Sequence, residues 1–218
     1  MGDQACLALR QSAGRGRRGR QWLSPPGNFY GSVSLPIAVQ PVCLGGFSLA
    51  VGCALAGVLA DAGIEDVGLK WPNDVWVGRS KIAGVLLELA PLRAQATPRV
   101  VVGVGVNFIT PLDAELRQTV TSVTDCLVGA TLSLEDFAAR WLNALRACRD
   151  VYQREGFAGF SATWQRLDRL EGQQVKVLQG EREWFGRAAG VDERGALKVQ
   201  TSAGEQRVHS GEVSVRLC

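Results

Sequence analysis

The feature that most constrains the fold is a run of forty residues, Gln21 to Ala60, that contains no Asp, Glu, Lys or Arg. A stretch this long without charge must be buried in a protein core or in a membrane. Four prolines lie before Leu44, which leaves Leu44 to Ala60 as the only candidate membrane span. That segment is rich in glycine and alanine and lacks flanking clusters of Lys or Arg, so it predicts a buried helix rather than a transmembrane one.

Short apolar runs on both sides of this helix predict a largely covered sheet. The runs cover residues 29–35, 68–71, 74–77, 82–89 and 100–108. Turn residues at 72–74 and 78–80 join neighbouring runs, which indicates hairpins and not parallel crossovers. Gly103 and Gly105 interrupt the last run, which indicates either a simple bulge or the close approach of a ligand or another backbone. The fold class that follows is α+β with a mixed or antiparallel sheet.

The clearest helix follows Ser133, because apolar residues from Leu134 to Tyr152 recur at spacings of three and four. Ser133 is a typical N-cap, and Gly156 is typical of the residue that ends a helix. A second helical stretch is predicted over 157–170. The preceding segment, 109–132, indicates a loop with at most one short helix. The aromatic residues of the main helix are predicted to pack in the core.

Beyond Glu171 the pattern changes to short alternating strands separated by glycines, over 175–178, 183–189, 196–199 and 213–217. This pattern predicts a small β-barrel that forms a second domain. Two domains follow, 1–170 and 171–218. The second carries seven basic and seven acidic residues. This balance predicts no net positive charge with which it could bind nucleic acid.

The most distinctive charged segment is the arginine loop, residues 14–20, in which four arginines alternate with three glycines. No carboxylate lies within it, so the arginines must find negative charge elsewhere, and a bound phosphate or carboxylate is the natural partner. The glycines spell a dinucleotide-binding fingerprint, but Pro25, Pro26 and Gly27 follow where that fingerprint requires a helix. A P-loop is excluded because no Gly-Lys-Ser/Thr closes the motif. Alone, such a run also suits a solvated loop, a targeting segment or an RNA-binding stretch.

The cysteines, the histidine and the net charge limit which compartment and which kinds of site the sequence predicts. Six scattered cysteines include no C-x-x-C pair, which indicates reduced thiols and a cytoplasmic protein. A single histidine, His209, stands away from every motif, which argues against a zinc site or a histidine-based catalytic triad. The net charge is only +3, so the positive field is local to the arginine loop.

Four motifs occur in a fixed order, at 11–22 (QSAGRGRRGRQW), 70–74 (KWPND), 81–88 (KIAGVLLE) and 103–107 (GVGVN). Together they resemble the biotin protein ligases, and the resemblance covers residues 5 to 217. It implies a class II synthetase-like biotin/lipoate ligase catalytic domain followed by an SH3-like β-domain. The DNA-binding helix-turn-helix of that family has no counterpart here, so the resemblance implies a ligase that does not bind DNA.

The resemblance implies an ATP-dependent ligase that joins the carboxylate of biotin to the α-phosphate of Mg²⁺-ATP and passes the biotinyl group to a lysine of a biotin carboxyl carrier protein. Two anions react, so fixed cations must lie between them. By the same resemblance, Lys81 and Arg17 serve the chemistry and contact biotin, Arg17 also contacts the nucleotide, and Asp74 orients or deprotonates the carrier lysine. The other implied biotin contacts are Gln11, Gly14, Arg15, Gly16 and Gly84. The other implied nucleotide contacts are Arg18, Trp22, Asn73 and Asn107.

The family pattern carries further expectations. Its members have a strand, a helix and a Ser-Thr-Asn biotin-contacting motif before the segment where this chain begins, so the catalytic domain is expected to be short at its N-terminus and to bind biotin poorly. No membrane contact and no protein-bound metal are expected, and a homodimer is possible. Two alternative functions are a lipoate or octanoyl transferase, which shares the fold by family analogy, and a nucleic-acid-binding module that uses the arginine loop.

Overall fold

The computed structural model describes residues 3–37, 44–90, 99–110, 119–211 and 213–217. The strands and helices of these residues, in chain order, are β1 (Gln4–Ala8), β2 (Phe29–Pro36), α1 (Leu44–Asp61), β3 (Val67–Lys70), β4 (Asp74–Val77), β5 (Ser80–Leu89), β6 (Arg99–Val106), α2 (Val123–Cys126), α3 (Leu134–Glu155), α4 (Ala158–Leu167), β7 (Gln174–Gln179), β8 (Arg182–Val191), β9 (Leu197–Thr201), β10 (Gly204–Val208) and β11 (Val213–Leu217).

The first sheet has six strands in the order β1-β2-β6-β5-β4-β3, and every pair in it is antiparallel. The hairpins β3–β4 and β4–β5 confirm the prediction made from the turn residues, and so does the α+β class. The register aligns Tyr30, Gly105, Gly84 and Asp74 in one row across four strands. This row crosses the middle of the sheet and brings together residues from three of the sequence motifs.

The uncharged run forms β2 and α1, which lie in the core. Side chains of α1 such as Leu49, Val51 and Leu55 are at most 1% exposed, and they share one apolar cluster with the sheet and with α3. In the part of the chain that the structure describes, no helix is both long enough and apolar enough to cross a membrane. Burial in the protein core therefore explains why this stretch lacks charge.

Helix α3 begins and ends where the capping residues predict. The Ser133 hydroxyl accepts a hydrogen bond from the Asp136 amide (3.0 Å), and Gly156 follows the last turn with a φ of 62°. Its aromatic side chains, including Phe137 and Trp141, are buried in the core as expected. Helix α2 is the one short helix among the described residues between 109 and 132.

The C-terminal strands form an antiparallel five-stranded sheet in the order β10-β9-β8-β7-β11, which agrees with an SH3-like domain. The described residues of β10 and β11, at the two ends of the strand order, do not pair with each other, so this sheet is not closed into the predicted barrel. Strand β10 was not predicted, because only its last residue, Val208, is buried and the strand has no apolar alternation to detect. It is placed by its pairing with β9.

The two sheets meet through buried contacts. Trp71 Nε1 donates a hydrogen bond to the carbonyl of Gly195 (3.0 Å), which lies in the turn before β9. A Cβ built on Gly195 would lie 2.8 Å from the Cα of Gly46 in α1, so the backbones of the two parts approach closely. The described cysteines are all free thiols, namely Cys6, Cys53, Cys126 and Cys148. Cys43 and Cys218 lie outside the described residues, and His209 is exposed.

Candidate active site

A cavity of about 370 Å³ lies on the face of the six-stranded sheet opposite the core. Strand β6 shows how the two faces differ, because the side chains of Val102 and Val106 are buried in the core whereas Gly103 and Gly105 line the cavity. Gly84 of β5 lines it too, directly across from Gly105. At these three glycines the floor of the cavity is bare backbone, and another group can lie close against it there.

The arginine loop forms a wall of this cavity. Its two ends are paired, because the Trp22 amide donates to the Gly14 carbonyl (2.9 Å) and the Gly16 amide donates to the Arg20 carbonyl (2.7 Å). Between them the chain makes a 3-10 turn over Arg17–Gly19. A Cβ on Gly14 would lie 2.4 Å from the Trp22 carbonyl oxygen. The closure of the loop therefore accounts for this glycine without a ligand.

Lys81, near the start of β5, is held inside the cavity by two partners. Its Nζ lies 2.6 Å from Asp74 Oδ1, and the two side chains are only 12% and 14% exposed. The same Nζ lies 5.0 Å from the ring centroid of Trp22, which is within cation–π range. Because water is largely excluded, this ammonium attracts an anion in the cavity more strongly than a surface lysine would.

Two arginines of the loop are also paired with oxygen atoms of the protein. Arg15 Nη2 lies 3.2 Å from Glu88 Oε2, and both side chains are exposed. Arg17 Nη2 donates to the carbonyl of Gly211, between β10 and β11, at 2.8 Å. Burial lowers the pKa of Arg17 to about 10, against the opposing effect of Asp74, so the guanidinium stays charged at neutral pH. Each of these two guanidinium groups is therefore paired with a protein oxygen atom, and the oxygen atoms of a carboxylate or phosphate ligand could take its place.

Further cations lie beside the cavity, at the edge formed by β3 and β4. Burial lowers the pKa of Lys70; Asp74 opposes that shift, while Lys81, Arg20 and Arg216 add to it. These charges are therefore close enough to interact, and Arg216 belongs to β11 of the second sheet. A ligand with several negative charges would meet cations from both sheets here.

Three amide side chains of the cavity wall are hydrogen-bonded within the protein. Asn73 Nδ2 donates to a carbonyl of β5 (2.7 Å), and Asn107 Nδ2 donates to the Thr121 carbonyl (3.1 Å). Gln11 Oε1 accepts a hydrogen bond from the Ser24 hydroxyl (2.7 Å). Asn107 is only 4% exposed. The wall is thus positioned by its own hydrogen bonds before a ligand binds.

Trp22 lies directly over the glycine floor. A Cβ built on Gly105 would lie 2.6–2.8 Å from three atoms of the indole, and one built on Gly84 would lie 3.1 Å from a fourth. A side chain at Gly105 could not coexist with the indole in this position. Close approach, one of the two alternatives for the glycines of β6, is thus what the structure shows at Gly105, and the approaching group is a side chain of the chain itself.

The structure brings most of the residues implied by the sequence to one place. Ten of the twelve line the cavity: Gln11, Arg15, Gly16, Arg17, Trp22, Asn73, Asp74, Lys81, Gly84 and Asn107. The other two, Gly14 and Arg18, do not line it. Sequence reasoning missed four further groups: Glu88, Lys70, Arg216 and the carbonyl of Gly211. The first two stand inside the recognised motifs, which was a usable signal, whereas the last two come from the far end of the chain.

Comparison with known proteins agrees with this arrangement. Residues 2–107 match the family model of the "Biotin/lipoate A/B protein ligase family", and residues 172–216 match that of the "Biotin protein ligase C terminal domain". The solved structure of a biotin protein ligase from Aquifex aeolicus in complex with biotin and ATP is similar with a TM-score of 0.84 at 28% identity, over 98% of this chain and 89% of that one.

Two relatives extend the comparison along the sequence. The bifunctional ligase/repressor BirA of Escherichia coli is 35% identical over 97% of this chain, which spans 66% of that relative's length. The biotin–acetyl-CoA-carboxylase ligase of Paracoccus denitrificans is 32% identical over 97% of this chain and 90% of its own length. With the shared motifs gathered around one cavity, these matches show that the chain belongs to the biotin protein ligase family.

Proposed function

We propose that the chain activates biotin with ATP and transfers the biotinyl group to a lysine of a biotin carboxyl carrier protein. In the first step an oxygen of the biotin carboxylate bonds to the α-phosphorus of ATP, and the bond from that phosphorus to the bridging oxygen breaks. Biotinyl-5′-AMP forms and pyrophosphate leaves. In the second step the amine of the carrier lysine attacks the carbonyl carbon of the mixed anhydride, and AMP leaves.

The observation that carries this proposal is the set of cations around one cavity, Lys81 and Arg17 above all. The reaction joins two anions, whose repulsion in a poorly solvated site must be offset by fixed positive charge. Lys81 is mostly buried and Arg17 is partly buried. Water therefore screens both charges less than it screens those of fully exposed side chains, which favours stabilisation of charge on the transferring phosphoryl group.

The protein partners of these cations suggest how the ligands enter. Lys81 is bound to Asp74, Arg15 to Glu88 and Arg17 to a backbone carbonyl. We propose that the carboxylate and phosphate oxygens of the substrates replace these acceptors. When Lys81 turns to the ligand, Asp74 loses its cation and becomes free to accept a proton from the carrier lysine amine.

The remaining assignments follow the resemblance. Gln11, Gly16 and Gly84 are proposed to contact biotin, and Asn73, Asn107 and Trp22 the nucleotide. We propose Arg18 for the nucleotide and Gly14 for biotin only through their places in the loop, since neither lines the cavity. From the charges beside the cavity, and not from the resemblance, we propose that Lys70 and Arg216 meet the phosphates.

Metal, partner and compartment belong to the same proposal. The described residues contain no group of three or more His, Cys, Asp or Glu that could hold a metal ion. Mg²⁺ is proposed to arrive on the phosphates of ATP, as it does in many nucleotide-dependent enzymes. The division into a catalytic domain, 1–170, and an SH3-like domain, 171–218, a cytoplasmic location, a homodimer and the lack of DNA binding stay predictions.

Thermal unfolding with and without biotinyl-5′-AMP tests the proposal. At a hundred times its Kd, a ligand that binds only the folded state adds about 2.7 kcal/mol of stability. For a domain of this size that is a rise of the melting temperature by roughly 5 to 11 °C. No rise at saturating ligand would contradict the proposal.

Transfer of radiolabelled biotin and lipoate to carrier domains distinguishes the proposal from its closest rival. We expect label from biotin and none from lipoate, and the reverse result would identify a lipoate ligase. A nucleic-acid-binding module would instead bind RNA or DNA with an affinity that falls steeply as salt rises.

A further inference from the structure

A second cavity, of about 430 Å³, lies between helix α4 and the second sheet. One wall comes from α4 and the residues on either side of it, and the other comes from the end of β8, the turn that follows and β9. Trp164 and Phe157 line it and are both buried. No described residue lines both this cavity and the first one, so the candidate active site does not account for it. Its volume is in the range of small-molecule sites.

Two buried polar atoms of this cavity lack hydrogen-bond partners. They are Trp164 Nε1 and Asp168 Oδ2, and neither has a partner among the described residues. The indole N–H is still near enough to Asp168 to favour the charged form of its carboxyl, so the two atoms face the same space. Buried polar atoms are rarely left unpaired in proteins. The cavity therefore offers one donor and one acceptor, side by side, to a group from outside the chain.

The cavity also holds more negative charge than its own cation balances. The carboxylates of Asp168, Glu171 and Glu193 line it and make no ion pair among the described residues, and the ammonium of Lys198 makes none either. A fourth carboxylate, Asp192, is already paired with an arginine of β10. Two negative charges are thus left unbalanced. Burial raises the pKa of Asp168 to about 6, so this carboxyl is mostly ionised at pH 7 and gains from a cation.

We propose that this cavity binds a basic amino acid through its α-ammonium group, its carbonyl oxygen and the cation of its side chain. The α-ammonium pairs with Asp168 Oδ2, and the neighbouring carbonyl oxygen accepts a hydrogen bond from Trp164 Nε1. The inference stands apart from the proposed function, because the residues that carry it lie outside the first cavity.

The depth of the charges supports a ligand with two cationic ends. Asp168 Oδ2 is buried, whereas Glu171 and Glu193 are exposed residues. One cation can therefore bind inside the cavity while a second binds at its mouth. Ala189 and Val191 of β8 give the wall an apolar part, against which the methylene groups of a lysine or arginine side chain can pack.

Calorimetry with L-lysinamide, at pH 7 and without biotin or ATP, tests the site. We expect one molecule to bind per chain, with an affinity about tenfold to a hundredfold lower in Asp168→Asn, which loses a charged hydrogen-bond acceptor. This variant keeps the Oδ1 atom that accepts from the Leu170 amide (2.8 Å). The matched control is Glu181→Gln, which removes an exposed carboxylate outside the cavity and should bind like wild type. No binding to wild type, or equal affinity in Asp168→Asn, would overturn the proposal.

A variant with the opposite expected effect separates a local site from general attraction between charges. Lys198→Gln removes the one cation that lines the cavity, so L-lysinamide should bind roughly two- to fivefold more tightly. Unchanged or weaker binding would contradict the charge balance from which the ligand class is inferred.

A matched pair of ligands tests the contact with Trp164. The diamine 1,5-diaminopentane has the two cations of L-lysinamide but no carbonyl oxygen, so it should bind wild type several-fold more weakly. In Trp164→Phe the two ligands should bind equally, and any loss of stability affects both alike. A preference for L-lysinamide that persists in this variant would reject the assigned position. Free L-lysine and the peptide Lys-Gly-Gly then distinguish the two sources of this chemistry, because the tighter binder identifies a free amino acid or the N-terminus of a peptide.

Discussion

Lys81 has two roles in this structure, one in the folded state and one in the proposed reaction, and substitution can separate them. In the free protein its ammonium is bound to Asp74 at 2.6 Å, with both side chains mostly buried. Asp74 makes no other ion pair among the described residues. Lys81→Ala therefore leaves a mostly buried carboxylate without a cation at contact distance, which costs about 1 to 3 kcal/mol. The melting temperature should fall by roughly 2 to 12 °C.

The same substitution should slow the adenylation step. Loss of one preorganised electrostatic contact costs about 3 kcal/mol in the barrier, or about a hundredfold in rate. In the double variant Lys81→Ala/Asp74→Asn the orphaned charge is gone, so stability should return most of the way to that of wild type. The adenylation rate should stay low, because the cation that we propose faces the transferring phosphoryl group is still missing.

Thermal and urea unfolding measure the stability of wild type, the two single variants and the double variant, and biotin-dependent exchange of pyrophosphate into ATP measures adenylation. Asp74→Asn alone is the matched control, because it removes the carboxylate and keeps the lysine. Recovery of both stability and exchange in the double variant would refute the reasoning, since the effect of Lys81→Ala would then come only from the fold. An unchanged exchange rate in Lys81→Ala would place the lysine outside the reaction altogether.

Three further predictions follow from single contacts. Arg17→Gly removes the cation that we propose turns from the Gly211 carbonyl to the ligand, so it should speed release of biotinyl-5′-AMP, with labelling of bystander lysines; release kinetics by stopped flow equal to wild type would reject this role. Burial raises the pKa of Asp168 to about 6 from its usual 3.8, so the folded state holds its proton more tightly and stability is lost as pH rises from about 4 to 6. In Asp168→Asn the free energy of unfolding should fall by about 1 to 3 kcal/mol less over this pH range than in wild type. Parallel pH profiles of urea unfolding for the two proteins would contradict this. Trp71→Phe leaves the buried carbonyl of Gly195 without its donor and should lower the free energy of unfolding by about 1 to 3 kcal/mol; calorimetric scans with no loss would show that water replaces the indole.

The secondary structure could be read from the sequence because its causes are local. The cap at Ser133 and the three- and four-residue spacing behind it predict α3, and the turn residues at 72–74 and 78–80 predict two hairpins. The missed strand, β10, carries no such local signal, since it pairs with β9 through its backbone and keeps its side chains mostly exposed. Propensity and periodicity act between near neighbours, so they predict elements whose own residues carry the pattern.

The motifs of the sequence also indicated the family and most of the residues around the cavity, because short motifs in a fixed order can be recognised without knowledge of the fold. The tertiary structure alone decided which groups those residues face. Arg17 bonds to a carbonyl 194 positions away, and the indole of Trp22, a loop residue, covers Gly105 of β6 and Gly84 of β5. Such contacts depend on how sheets, loops and side chains pack in space, and sequence separation carries no information about that packing. Hence the sequence predicted a loop that binds an anion, and the fold determined which protein oxygen atoms and which indole lie beside its cations and the glycines.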